Sequence, residues 1–151
     1  MKIYIGADHN GFGLKYKLTA YLRKAGYDIE DLGDDHLDPK DDFPLFASKV
    51  CLAVLGSEDN DPRGVLLCGS GQGMCMAANR FKGIRASLCW DNVSAREARN
   101  DDNANVLCVP AKLLNGHEAD VILETWINTP FAGAERFKRR LQELDELGLG
   151  G

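Results

Sequence analysis

Cys68 stands directly before Gly69-Ser70-Gly71-Gln72-Gly73. Glycines let backbone N–H groups approach an anion, and a helix starting there would add partial positive charge. A thiol aimed at such donors would have a depressed pKa and could serve as a base or nucleophile. A buried strand cysteine ahead of a turn that needs glycine is the other reading. The segment is no dinucleotide fingerprint, since the third glycine of G-x-G-x-x-G would fall at Met74, and it lacks the G-K-[ST] of a P-loop.

Three further groups could do chemistry. Asp8-His9 follows the first apolar run and is either an acid–base pair or a loop cap. Arg136 and Arg140, spaced i, i+4, share a helix face and offer two guanidinium forks to a phosphate, or form part of a solvated face. The run Asn100-Asp101-Asp102-Asn103-Ala104-Asn105 reads as helix termination and capping. His36 and His117 lie in polar segments and are expected to be solvated. The three histidines are scattered and the five cysteines (51, 68, 75, 89, 108) show no C-x-x-C spacing, so no metal is expected.

The elements that must position these groups alternate. Strands are expected at Lys2–Ile5, Tyr27–Leu32, Gly64–Cys68, Ile84–Leu88 and Val106–Val109. Leu14, Leu18, Tyr21, Leu22 and Ala25 form one helix face, stopped by Gly26. Further helices are expected over Leu45–Leu55 behind Pro44, Met74–Arg80, Ser94–Asn100, Glu118–Trp126 and Glu135–Leu147. Asp34–Asp42 reads as an acidic loop and Ser57–Arg63 as a polar turn region. Strands separated by helices predict an α/β, three-layer, Rossmann-like fold, a five-stranded parallel sheet with helices on both faces. Ligands in such folds bind at the carboxyl ends of strands, which selects the loops at Asp8, Cys68, Leu88 and Val109.

At 151 residues the chain predicts one domain, 1–151, with 146–151 frayed. Its 44% apolar and 27% charged composition is that of a folded globule. A net charge of −5 argues against nucleic-acid and anionic-membrane partners. No apolar run approaches the roughly 18 residues of a membrane span. Strand-like residues begin at Lys2, leaving no room for a signal peptide, and an odd number of cysteines fits a reducing, cytoplasmic setting.

In their order these residues resemble the type B ribose-5-phosphate isomerase family, which includes the galactose-6-phosphate isomerase subunits. The resemblance is carried by Gly6-Ala7-Asp8-His9-Asn10-Gly11-Phe12, Asp31-Leu32-Gly33, Phe43-Pro44, Leu67-Cys68-Gly69-Ser70-Gly71-Gln72-Gly73-Met74, Ala77-Ala78-Asn79-Arg80 and Gly83-Ile84-Arg85-Ala86. It continues through Ser94-Ala95, Asn103-Ala104-Asn105-Val106-Leu107 and Phe131-Ala132-Gly133, covering about residues 2–141.

The resemblance implies aldose–ketose isomerisation of a phosphorylated sugar, ribose 5-phosphate with ribulose 5-phosphate, with no metal or cofactor. It also implies a homodimer or tetramer with active sites between subunits. By the same resemblance Cys68 is the base that moves the proton between C1 and C2. Gly69, Ser70, Gly71, Gln72 and Gly73 hold the enediolate oxygens, with Ser70 counted among the catalytic groups. Asp8, His9, Asp102 and Lys112 fall at substrate-binding positions, and Arg136 and Arg140 match the phosphate arginines if one residue is inserted after Gly133.

Two positions depart from the family. Asp101 stands where the family has the histidine that opens the sugar ring, and Lys112 where an arginine is usual. Asp101 could act as an acid only with a raised pKa, which repulsion from Asp102 could supply; otherwise His9 or water opens the ring, or the substrate is never cyclic. A tetrose 4-phosphate, which cannot close a furanose, would need no such acid. Other readings are an isomerase of erythrose 4-phosphate, allose 6-phosphate or galactose 6-phosphate, and a non-catalytic phosphosugar-binding subunit.

Overall fold

The chain opens on β1 (Lys2–Ala7), whose residues from Ile3 onward are all buried. An amphipathic helix, α1 (Phe12–Lys24), leads to β2 (Asp28–Asp31). Then follow α2 (Phe43–Gly56), β3 (Pro62–Cys68), α3 (Gln72–Ala78), β4 (Ala86–Leu88), α4 (Asn92–Asn100), β5 (Val106–Pro110), α5 (Gly116–Asn128) and α6 (Glu135–Glu146). The computed structural model describes residues 1–148, and none of its helices is long and apolar enough to cross a membrane.

All strand pairs are parallel, in the order β2-β1-β3-β5-β4. Alternation along the strands divides the core into two layers. Ile3, Ile5, Val65, Leu67, Leu107 and Val109 pack with Leu18 and Leu22 of α1, Ala95 and Ala98 of α4, and Ile122 and Trp126 of α5. Tyr4, Leu66, Cys68, Val106 and Cys108 pack with Phe46 and Val50 of α2 and Met74 and Ala78 of α3. The expected three-layer α/β sandwich is therefore present. β2 and β3 pair with opposite edges of β1, so the chain reverses its direction of travel there, and loops at the carboxyl ends of β1 and β3 diverge to leave a crevice.

The expected turn at Ser57–Arg63 ends earlier than the polar residues suggest, because β3 takes in Pro62 and Arg63. Arg63 is only 4% exposed. Asp61 accepts from its Nε at 2.7 Å and Nη2 at 3.0 Å, and its guanidinium lies 5.2 Å from the Trp126 ring centre. Arg99, also 4% exposed, lies 5.8 Å from the same ring and donates to Ala104 O, Asn103 Oδ1 and Thr129 O. Burial and the nearby Arg63 charge bring its pKa down to about 10, which still leaves it charged at neutral pH. Trp126 thus joins α5 to β3 and to α4 through two cation–π contacts.

Near the amino end, Lys15 is 1% exposed, and its Nζ donates to both Asp31 carboxylate oxygens at 2.9 and 3.0 Å and to Asp34 O at 2.9 Å. This ties the acidic loop to β2 and α1. At the other end α6 buries only Phe137. Glu146 is the last residue of that helix, and residues 149–151 of the expected tail lie outside the described residues.

Replacing Trp126 by alanine is expected to cost about 3–5 kcal/mol, the usual range for a buried tryptophan, and to loosen the 101–105 turn. Urea unfolding monitored by circular dichroism measures the first effect. Amide hydrogen exchange at Asn103–Asn105 measures the second.

Candidate active site

The β1–β3 register sets Gly6 opposite Leu66 and Ala7 opposite Leu67. Asp8 and Cys68 are consequently the first residues past the paired ladder, side by side, and the Asp8 N–H still donates to Leu67 O at 3.2 Å. Asp8, 6% exposed, turns its carboxylate back onto its own loop, where Oδ1 accepts from the Asn10 N–H at 2.9 Å and the Gly11 N–H at 3.2 Å. A side chain at position 11 would meet Leu67 at 2.6 Å, so the Asp8 loop can lie against β3 only with glycine there.

Cys68, 5% exposed, closes β3 and opens the expected turn. Gly71 caps α3 at φ 74°. A Cβ there would be strained by the backbone and would collide with Leu88, which explains the glycine without invoking a ligand. The first N–H groups of α3 have no partner within the helix, and the Gln72 N–H turns to Ser70 Oγ at 3.4 Å.

A cavity of about 400 Å³ lies over these loops, walled by Asp8, Asn10, Phe43, Cys68, Gly69, Ser70, Gly73, Lys112 and Leu113. Lys112 belongs to the loop after β5; its N–H donates to Gly69 O at 3.0 Å, and its Cδ would lie 3.2 Å from a Cβ on Gly69. Phe43 packs on Gly73, whose Cβ would come within 2.8 Å of the ring. The structure therefore gathers Asp8, Cys68, Gly69, Ser70, Gly73 and Lys112 in one crevice, with Gly71 and Gln72 in the adjoining turn. Phe43, Asn10 and Leu113 complete the wall. Of these, Phe43 and Asn10 lay within the segments that carry the family resemblance, whereas nothing in residue type marked Leu113.

His9 stands beside this crevice. Its Nδ1 lies 2.7 Å from Asp41 Oδ1, and its backbone N–H donates to the same oxygen at 2.9 Å. Asp41 raises the His9 pKa and Asp8 adds to the effect, while Lys112 and desolvation oppose it. Asp41 escaped the sequence reading because it sits among five other aspartates between 31 and 42. Ligand atoms of Asp8, His9 and Asp41 lie within 4.8 Å of one another, the one grouping among the described residues with the spacing of a metal site. Its Asp41 oxygen already binds the histidine and its Asp8 oxygen already accepts two N–H groups.

Asp101, Asp102, Arg136 and Arg140 do not line this crevice. Asp102 faces a different cavity, of about 790 Å³, with Arg80, Lys82, Arg85 and Leu144. The Asp102 pKa is raised by partial desolvation and by Asp101, with Arg140 pulling it back. Asp101 Oδ1 accepts instead from Asn100 Nδ2 at 2.8 Å. Arg136 and Arg140 are both exposed on α6, Arg136 lying 4.4 Å from the Phe137 ring centre.

The remaining cysteines are not alike. Cys75 on α3 is partly exposed, and its pKa falls to about 7, chiefly because the Cys108 thiol hydrogen-bonds to it. Cys51 and Cys89 are buried and pushed up to about 12. As expected, His36 is solvated, with a side chain 74% exposed, and His117 is exposed on α5.

Residues 3–144 match the family described as ribose/galactose isomerase. The chain is 36% identical over 143 residues to ribose-5-phosphate isomerase B of Escherichia coli, covering 95% of this chain and 93% of the relative. The crystal structure of a ribose 5-phosphate isomerase from Thermotoga maritima superposes with a TM-score of 0.91 at 42% identity, covering 97% of this chain and 98% of that one. The Mycoplasma genitalium ribose-5-phosphate isomerase B, solved with bound ribulose 5-phosphate, superposes with a TM-score of 0.89 at 35% identity, covering 95% and 93%. Likeness of this extent, in sequence and backbone alike, places the chain in the ribose/galactose isomerase family.

Proposed function

We propose that this chain is an aldose–ketose isomerase that interconverts ribose 5-phosphate and ribulose 5-phosphate through an enediolate. The observation that carries the reading is Cys68 at the mouth of a crevice beside the glycine turn, in a family whose solved members include a ribulose 5-phosphate complex. A C–H next to a carbonyl is a weak acid, so its removal needs both a base and donors for the oxygen that becomes negative. The Cys68 thiolate is the base, and N–H groups of Gly69–Gly73 with the Ser70 hydroxyl stabilise the enediolate. Asp8 and Lys112 hold sugar hydroxyls across the crevice.

Arg136 and Arg140 bind the phosphate, whose distance from C1 and C2 lets binding energy position the reacting carbons. Their absence from the crevice supports a homodimer, or a tetramer built from it, in which Asp101, Asp102 and the α6 arginines meet the Cys68 half of a second copy. The whole chain, 1–151, acts as one cytoplasmic domain without metal or cofactor.

Cys68→Ala is expected to lower kcat at least about a hundredfold, the low end for loss of a general base, with an unchanged circular dichroism spectrum. Near-normal turnover would remove Cys68 from the role. Each of Arg136→Ala and Arg140→Ala should raise KM for ribose 5-phosphate about tenfold or more, from a lost charge-assisted contact of about 1.5–3 kcal/mol, and weaken inhibition by inorganic phosphate in parallel.

Mixing Cys68→Ala subunits with Arg136→Ala/Arg140→Ala subunits should restore activity, since a hybrid dimer then holds one site with both halves intact. Subunit exchange without recovery would contradict a shared site. Turnover should also survive dialysis against EDTA; loss reversed by one divalent ion would replace the thiolate mechanism with a metal-assisted one.

A further inference from the structure

We infer that His9 and Asp41 form an acid–base dyad that opens the ring of the cyclic sugar, with His9 the group that touches the ring and Asp41 its positioning residue. The inference rests on the isomerase reading above. Ribose 5-phosphate is mainly a closed ring in water, and no proton can leave C2 until a carbonyl exists at C1. The opening step needs a proton donor at the ring oxygen that is charged near neutral pH and returns to that state each cycle. Histidine is the side chain whose ordinary pKa suits this.

The Asp41 contact is unusually complete for a loop side chain. One oxygen of Asp41 accepts from the His9 backbone N–H at 2.9 Å and meets its Nδ1 at 2.7 Å. The Asp41 side chain is 7% exposed against 32% for His9, so the carboxylate is the buried, fixed partner and the imidazole the accessible one. Fastening Nδ1 sets both the ring's orientation and its tautomer, leaving Nε2 on the opposite side free to carry the exchanging proton. The charged groups that face the imidazole are Asp41 and Asp8, which favour its protonated form, and Lys112, which disfavours it. Asp8 and Lys112 are also walls of the substrate crevice, so the imidazole stands at its edge, beside the space open to a sugar. The loop carrying Asp41 is itself fastened upstream, at Asp34 O, by the buried Lys15.

In the step, imidazolium Nε2 gives its proton to the ring oxygen as the bond between that oxygen and C1 breaks. The O–H pair of the C1 hydroxyl becomes the second C1=O bond, and the hydroxyl proton leaves to water. His9, now neutral and held by Asp41 at Nδ1, recovers a proton from water. The sugar neither gains nor loses protons overall, and nothing is oxidised.

Ring opening can be read apart from isomerisation as the rate at which the enzyme interconverts the α and β anomers of ribose 5-phosphate, measured by NMR saturation transfer. The Cys68 step can be read alone as deuterium wash-in from D₂O at C1 of ribulose 5-phosphate, which is never cyclised in that exchange. Asp41→Asn is expected to lower anomer exchange at least tenfold more than it lowers C1 wash-in. Because the dyad acts through the protonated imidazole, anomer exchange falls as pH rises through the His9 pKa, and losing Asp41 should move that fall to lower pH. His9→Gln should show the same selective loss without the pH limb. In the wild-type protein, ¹⁵N shifts should show neutral His9 protonated at Nδ1.

Equal loss of both reactions in Asp41→Asn and His9→Gln, or an unmoved pH limb in Asp41→Asn, would overturn the dyad, as would an Nε2-protonated tautomer in the wild type. Wild-type C1 wash-in without accelerated anomer exchange would also overturn it while leaving the isomerase reading intact. A wild-type protein that accelerates neither reaction would instead overturn the isomerase reading.

Discussion

The parallel pairing of β1 with β3 is the constraint on which the site depends. Because the last residues paired between these two strands are Ala7 and Leu67, the next residue on each stands just past that ladder at the same height. One is Asp8 and the other Cys68, which is still paired to Pro110 of β5 on its other side. A slip of one residue would turn every side chain of β1 to the other face and drive Ile3 and Ile5 out of their layer, so the hydrophobic pattern enforces the register that juxtaposes the polar pair. Gly11 protects the arrangement from the other side, since anything larger would lift the Asp8 loop off Leu67. The site is thus held in place by apolar residues that never touch substrate.

The alternation of apolar runs made the sheet and helices readable, and glycines marked most of the ends: Gly26 after α1, Gly56 at the end of α2, Gly71 before α3. What could not be read were pairings between distant polar residues. Arg63 looks like a turn residue until Trp126, on the helix that follows the last strand, supplies a ring for it to lie on. Asp41 is one acid among many until the fold sets it against His9. Cys75 looks like the other core cysteines, and only its contact with Cys108 distinguishes its thiol. In each case the residue type is visible locally, while the partner that gives it meaning lies 30 or more residues away.

The Asp101–Asp102 turn shows a related limit. Two adjacent acids invite the inference that repulsion raises the pKa of one of them; at Asp102 partial desolvation and the neighbouring Asp101 both push it up, with Arg140 acting against them. Sequence gives the repulsion between neighbours; it does not give which of the two is turned toward the body of the protein. Arg99 holds the residues that follow them. By donating to Asn103 Oδ1 and Ala104 O it fixes the turn from beneath, and Asn103 adopts φ 47°, a left-handed conformation that asparagine tolerates better than most residues.

On the proposed reading the chain divides labour between two parts of very different rigidity. The proton-transfer half rests on the two central strands, where a shift of a fraction of an ångström would cost catalysis most. The phosphate half rides on α6, which buries little beyond Phe137 and leaves Leu144, and Leu147 at its C-cap, 49% and 73% exposed. A guanidinium–phosphate contact tolerates such a platform because charge attraction is long-ranged compared with proton transfer. A helix with so little packing in its own chain has a reason to be ordered only if something covers its apolar edge. A second copy would supply that cover and, in the same contact, deliver the arginines to a crevice whose own walls hold no guanidinium.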